Sequence, residues 1–509
     1  MINPAAPPTS RQNHDPLRDA KHSAPEDSIY VQPRLDPSKG PMQTKTEVLH
    51  NDDYSKISRQ AKWDFLSRPP ELKQLTLVME TGNAADAVHV GKNPDGRLKV
   101  QINGKSHELD DKDRDGKPLH LLIKTHGGND QVTVSEDVKN PLTIEGGKGD
   151  DTLTGGGGIT RLLGGPGNDT LKLRSHAGYA EGNDGDDTII GGPGNSAMYG
   201  NNGDDRLYAG AGPATKQSYL DGGAGNDRLY AGNGHTVLHG GKGDDDLVGH
   251  DRTTFYTGKG QDRVWNNQQG DHIYAKTGDV YDRSQGSTLT PVQPSTAGGA
   301  GFGVVGTPQF KQRVEDDLEF LRGSPTGQKM LTDMDREAAV AGGKVTIQEE
   351  TDRGNAYMFG SSELDKAWEN GRRDIGPDDS KRGKITDDKP GSRADKGVIA
   401  YDTSTTVAPD GRTFGFPLIG LVHEVGHSYN GATGTNLPGT TIEHPPARPD
   451  ISIPIRNTEF QVVGLPSSAS PFDFDNDPST PPTRINPEHF TENGMRREMG
   501  LPERKTYLT

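Results

Sequence analysis

The chain has 509 residues, of which only 29% are apolar, so two or three domains are expected rather than one large core. Asp and Glu outnumber Lys and Arg by 73 to 57, for a net charge of -16, which argues against nucleic acid as the main partner and suits a protein that neutralises carboxylates with bound cations. With no cysteine, disulfides and thiolate metal sites are excluded, and no run approaches the roughly 18 apolar residues of a membrane span.

Residues 1–72 are rich in Pro, Ser, Asp and Lys and are expected to be disordered. The opening MINPAAPPTSRQ lacks the charged-then-apolar order of a cleaved signal peptide, so the chain is expected either to be cytoplasmic or to leave by secretion machinery that reads an uncleaved signal, type III in preference to type I. From residue 73 the pattern changes: LTLVME, LKVQI, HLLIK, QVTVS and PLTIE are short β-type runs separated by Gly, Asn and Asp.

An internal repeat follows, G-G-x-G-x-D with an apolar residue two positions on. It reads GGKGDDTL at Gly146, GGPGNDTL at Gly164, GNDGDDTI at Gly182, GNNGDDRL at Gly200, GGAGNDRL at Gly222 and GGKGDDDL at Gly240, with a weaker copy ending at Val264. The motif aspartates are Asp151, Asp169, Asp187, Asp205, Asp227, Asp245 and Asp262, spaced 18, 18, 18, 22, 18 and 17 apart, and a partial earlier copy adds Asp130. The repeat resembles the nonapeptide repeats of RTX proteins, which implies a parallel β-roll over 73–283. Glycines allow the left-handed turn, and turn carbonyls with the Asp carboxylate are hard oxygen ligands for calcium. Good copies recur every eighteen residues rather than every nine, and GGPGNS carries Ser196 where Asp is expected, so one side of the roll keeps its calcium row and the other has mostly lost it. A calcium-driven folding switch follows, since clustered carboxylates repel until a cation arrives.

Residues 284–307 read as a Gly/Ser/Thr/Pro linker and 308–509 as a second domain. In FKQRVEDDLEFLRG, Phe310, Val314, Leu318 and Leu321 share a helical face; GQKMLTDMDREAAVAGG is a second helix, KVTIQEE and GVIAYDTS are strands, and 361–395 is charged and irregular. The fold expected is thus multidomain: a parallel β-solenoid, then an α+β domain.

PLIGLVHEVGHSYNG contains His423-Glu424-Val425-Gly426-His427, and Asn430 and Gly431 can end its helix. Positions i and i+4 share a face, so both imidazoles can ligate one zinc while Glu424 reaches a bound water. The pattern does not continue to a third histidine, since 430 is Asn and 433 is Thr, so a downstream carboxylate is needed. Glu459 in RNTEFQVVGLP is preferred; Glu443, beside His444-Pro445-Pro446, and Glu492 remain alternatives. Near the end, Arg504 and Tyr507 form an R-x-x-Y spacing that could stabilise an oxyanion.

HEVGH, NTEFQVVGLP and ENGMRREMGLPERKTY, in that order, resemble the NleD-like effector zinc metallopeptidases of bacterial pathogens, related in site architecture to clostridial neurotoxin light chains. The resemblance covers about 308–509. It implies a gluzincin-type site with His423, His427 and Glu459 as ligands, Glu424 as base, and Arg504 and Tyr507 assisting the transition state. It also implies a secreted protease delivered into a host cell to cut a signalling protein. The long repeat domain departs from that pattern. The competing reading is a calcium-dependent adhesion or structural β-roll with a vestigial peptidase. Zinc and calcium are the expected cofactors, a protein substrate the expected partner, and a monomer the expected state.

Overall fold

The computed structural model describes residues 28–174, 177–351, 354–370, 375–377, 379–406, 414–446, 448–475 and 477–508. Residues up to Val78 form one unit and Met79 onward another. The disordered segment expected over 1–72 lies, for residues 1–27, outside the described residues. Its remainder is corrected: Met42–Asn51 pairs antiparallel with Lys56–Asp64, and a strand begins at Glu71. The strands bury Ile57, Ala61 and Trp63, apolar positions too widely spaced in a polar sequence to read as strand.

An eighteen-residue period has room for two short strands and two turns, and the second unit stacks such coils about nine times over 121–291. Pairing is parallel and one coil apart: Gly178 lies opposite Ser196, Ser196 opposite Ser218. One wall has long strands, such as Gly178–Asp184, Ser196–Asn202, Gln217–Ala224, His235–Lys242 and Arg252–Lys259. The other has three-residue strands such as Thr170–Lys172. The apolar residue after each motif fills the interior: Leu153, Leu171, Ile189, Leu207, Leu229 and Leu247 are fully buried, as are Ala180, Met198, Leu220, Leu238 and Phe255 from the long wall. The expected linker over 284–307 is also corrected. Thr288–Pro291 pairs with His272–Ala275 as a last coil, and Phe302–Val305 joins the next sheet. Their Gly, Ser and Thr content hid two strands that only pairing partners stabilise.

In the C-terminal region, α1 (Pro308–Gly323) and α2 (Pro325–Ala341) carry the predicted apolar face, with Phe310, Val314, Leu318 and Leu321 buried. A four-stranded sheet runs in the order Phe302–Val305, Val345–Glu349, Val398–Tyr401, Ala356–Met358, the last antiparallel at the edge. The stretch expected to be irregular contains α3 (Ser362–Glu369), capped by the Ser361 side chain. Then follow α4 (Pro417–Thr433), α5 (Asn457–Val463) and α6 (Glu492–Glu498).

The roll and this region share one core. On the outer face of the long wall, Tyr199, Tyr219 and Tyr256 are fully buried beneath α1. Phe320 sits 4.5 Å from the Tyr256 ring and 5.9 Å from the Tyr219 ring, centroid to centroid. The Arg313 guanidinium lies 3.4 Å over Tyr199 and pairs with Asp317 at 2.9 Å.

The motif aspartates form a single row along one edge. In each, Oδ1 accepts the N–H of the equivalent aspartate one coil earlier, as from Asp169 to Asp187 at 2.7 Å. The other oxygen, Oδ2, is buried and has no donor in Asp130, Asp151, Asp169, Asp187, Asp205, Asp227 and Asp245. A Cβ on Gly146 would lie 2.3 Å from Asp151 Oδ2, so the first motif position must be glycine. A buried carboxylate oxygen without a donor calls for a cation or a proton. One lysine shows the demand directly, and a second fills a cage of carbonyls. At the end of the row the Lys276 ammonium bridges Asp262 and Asp279. On the opposite edge, where the four extra residues of the 22-residue gap fall, the buried Lys216 ammonium is caged by the carbonyls of Gly192, Ala209 and Gly210.

Burial, and then the neighbouring aspartates, push these carboxyls up without a cation: Asp169 to about 7, Asp187 and Asp205 to about 8, Asp227 and Asp245 to about 9. A folded chain that holds protons more tightly than the unfolded one loses stability as pH rises from the ordinary carboxyl value through these raised values. In chelator, the melting temperature of the roll should therefore fall between about pH 5 and pH 8, and saturating calcium should abolish the fall. A melting temperature that climbs over that range in chelator contradicts the buried row.

Candidate metal centre

Helix α4 begins with Pro417 in its first turn and buries Leu418, Leu421, Val422 and Val425. It runs past the expected stop at Asn430 and Gly431, ending where Gly434 takes a left-handed φ of 74°. Its apolar face fixes the rotation that turns His423 and His427 together into a cavity of about 670 Å³. Gly426 between them has a second duty. A Cβ there would meet a Val462 methyl at 2.2 Å, so only glycine lets α5 approach this closely. That approach delivers Glu459 from the first turn of α5.

The three ligand atoms stand nearly equidistant. His423 Nε2 and His427 Nε2 are 3.2 Å apart, and Glu459 Oε2 is 3.3 Å and 3.2 Å from them. Zinc bonded to nitrogen and oxygen at roughly 2.0–2.1 Å places neighbouring ligands of a tetrahedron about 3.3 Å apart. The three residues thus fit a zinc ion. Two imidazoles and a carboxylate are also a donor set that zinc favours. Among the described residues, these three are the one group of metal-ligating side chains so close together.

The charges tell the same story. Burial pulls the His423 imidazolium down, yet the Glu459 and Glu492 carboxylates outweigh it and push His423 up to about 10. Although burial opposes ionisation, Glu459 is held well below the usual carboxylate range, chiefly by His427 and His423. Glu459 and Glu492 thus place negative charge at the imidazoles that a divalent cation would balance.

Glu492, an alternative third ligand from sequence, lies instead behind His423, its Oε2 3.3 Å from Nδ1. Arg496 at 2.7 Å and Arg504 at 3.0 Å hold this carboxylate in turn. A carboxylate on Nδ1 fixes the ring so that Nε2 faces the metal position. Glu443, the other alternative, is the acceptor for the backbone N–H of Tyr507 at 2.7 Å, tethering the C-terminal tail over the cavity. The Tyr507 hydroxyl then donates to Glu459 Oε2 at 3.1 Å. Burial and that carboxylate keep Tyr507 protonated far above its ordinary range. Arg504 departs from the expected arrangement: its guanidinium is engaged by Glu492 and by the Tyr507 carbonyl and does not line the cavity. Asn493 holds its backbone at both N–H and carbonyl. Nothing in the spacing of ENGMRRE announces these supporting roles.

Residues 300–507 match the family model Peptidase_M91, described as effector protein. Residues 143–171, 181–213 and 221–251 match the RTX calcium-binding nonapeptide repeat. The layout is therefore RTX calcium-binding repeats followed by an effector-peptidase domain, as the motifs led us to expect. No curated protein and no solved structure matches the chain.

Replacing His427 or Glu459 with Ala should remove stoichiometric zinc. Glu492→Gln should retain it with about 10- to 100-fold weaker affinity, because only the ring's orientation is loosened. Competition titration against a zinc indicator measures all three, and undiminished affinity in Glu459→Ala would exclude it as a ligand.

Proposed function

We propose that this protein is a secreted bacterial zinc metalloendopeptidase of gluzincin type, an effector that cuts a host protein, with a β-roll folded by calcium. What supports the reading is the convergence of His423, His427 and Glu459 on one position, in a cavity also lined by Glu424 and Tyr507. In this reading Asp151, Asp169, Asp187, Asp205, Asp227 and Asp245 hold calcium through the carboxylate oxygens that lack donors. Among the described residues, no helix is long and apolar enough to cross a membrane.

Zinc bound at the three ligands would polarise the scissile carbonyl and acidify the attacking water. Glu424 takes a proton from that water as its oxygen attacks the carbonyl carbon, then delivers it to the amine nitrogen as the C–N bond breaks. The Tyr507 hydroxyl donates to the developing oxyanion. Arg504 braces Tyr507 through its carbonyl and its ring, 5.1 Å away, and locks Glu492 behind His423. The edge strand Ala356–Met358 borders the cavity and offers a backbone against which an extended substrate can align.

Glu424→Gln should lower kcat by about 10²- to 10⁴-fold with zinc still bound, and Tyr507→Phe by about 10²-fold. Mapping of new N-termini in host-cell extract, wild type against Glu424→Gln, reads the loss and names the substrate. Identical cleavage by the two would end the assignment.

A further inference from the structure

The walls of the metal cavity carry charge opposite to that of the chain. Beyond Glu424 and Glu459, both committed to the metal centre, the described lining contains no carboxylate, yet it holds Arg382, Lys384 and Arg456. In a chain of net charge -16 such a gathering is against composition. Arg382 ends a short 3-10 turn, stacks 5.8 Å over the Trp368 ring, and has a buried Nε without an acceptor. Arg456 is exposed just before α5, three residues from Glu459. Among the described residues neither guanidinium has an ion-pair partner. Lys384 adds a third positive charge while donating to the Leu437 carbonyl at 3.3 Å.

We propose that Arg382 and Arg456 select substrates bearing an anionic side chain, carboxylate or phosphate, close to the scissile bond. The inference rests on the peptidase reading above and narrows it. Guanidinium forks match both anions bidentately, and a cleft of one sign also steers such peptides inward. The test is a digest of a proteome-derived peptide library, with and without prior phosphatase treatment. A parallel measurement follows binding of fluorescent acidic and neutral peptides to the Glu424→Gln protein. Cut sites should be enriched in Asp, Glu or phosphorylated residues within about three positions, and phosphatase separates the two sources. Arg382→Gln and Arg456→Gln should each reduce the acidic-to-neutral ratio of kcat/KM about tenfold, and raised salt should reduce it as well. No acidic preference in cutting or in binding overturns the proposal. Acidic binding without any cutting leaves the cationic cleft standing and removes the peptidase reading instead.

A separate set of contacts links the calcium edge to the metal centre. The C-terminal end of α6 is clamped to the roll: the Met499 carbonyl accepts from His235 at 2.9 Å and Thr254 at 3.0 Å, and Tyr274 donates to the Glu498 carbonyl at 3.2 Å. The Tyr256 hydroxyl reaches the Glu498 carboxylate, also at 3.2 Å. Strands His235–Lys242 and Arg252–Lys259, which supply three of these groups, run into the turns bearing Asp245 and Asp262. The other end of α6 presents Glu492 to His423. We infer that ordering of these roll strands by calcium positions α6, making His235, Thr254 and Tyr256 positioning residues for the metal ligands. Protein stripped of metal should be reloaded with zinc alone or with zinc plus calcium, and followed by hydrogen exchange and zinc titration. Calcium should slow exchange over residues 492–508 and tighten zinc, each about tenfold, and Asp245→Asn should blunt both. Calcium that protects the roll but leaves 492–508 and zinc affinity unchanged would overturn the coupling.

Discussion

Carboxylates gathered without their counter-charge are the constraint that shapes both halves of this molecule. Stacking coils at an eighteen-residue period brings one aspartate per coil into a line, each with one oxygen tied to the preceding coil and the other buried without a donor. The fold can close over such a row only when a cation or protons occupy it. Lys276, wedged between Asp262 and Asp279, supplies the charge covalently at the row's end. Lys216 does the same among carbonyls on the opposite edge, where the aspartates are missing. The chain thus uses tethered ammonium groups where its repeats are irregular and leaves the regular turns to an exchangeable ion.

The roll is also a platform. The outward positions of its long wall carry Tyr199, Tyr219 and Tyr256, side chains that an isolated roll would expose. Here they form the floor of the core of the C-terminal region, and Phe320 of α1 is packed among them. Burying Arg313 against Tyr199 and Asp317 joins the two layers through a paired charge rather than through apolar contact alone. The candidate metal centre inherits its geometry from this floor: α1 packs on α2, which packs on α4, while α6 bridges from the roll to Glu492 behind His423.

Much of the site was legible because its chemistry is local. Two histidines four apart on a helix must share a face, and the apolar residues Leu418, Leu421 and Val422 already fix which face is buried. For the third ligand the sequence offered Glu443, Glu459 and Glu492, and the structure places all three at or beside the candidate site in different positions. Glu459 meets the imidazoles, Glu492 holds one from behind, and Glu443 anchors the tail that brings in Tyr507. Arg504 was expected to face the reacting carbonyl but supports its neighbours instead. Nothing in one-dimensional spacing separates a ligand from a residue that orients a ligand, since the two differ by a few ångströms in space.

The sequence by itself determined what repeats and what is periodic: the β-solenoid, its single aspartate row, the two helices opening the C-terminal region, and the HEVGH helix. These rest on contacts between residues at fixed, short separations, where backbone geometry leaves few alternatives. Tertiary structure decided the strands at 42–51, 56–64 and 288–291, the burial of the roll's outer face, and the convergence of α4, α5, α6 and the C-terminal tail on one cavity. Those features depend on partners up to hundreds of residues away, as when His235 meets Met499, and only packing chooses among the pairings the chain allows.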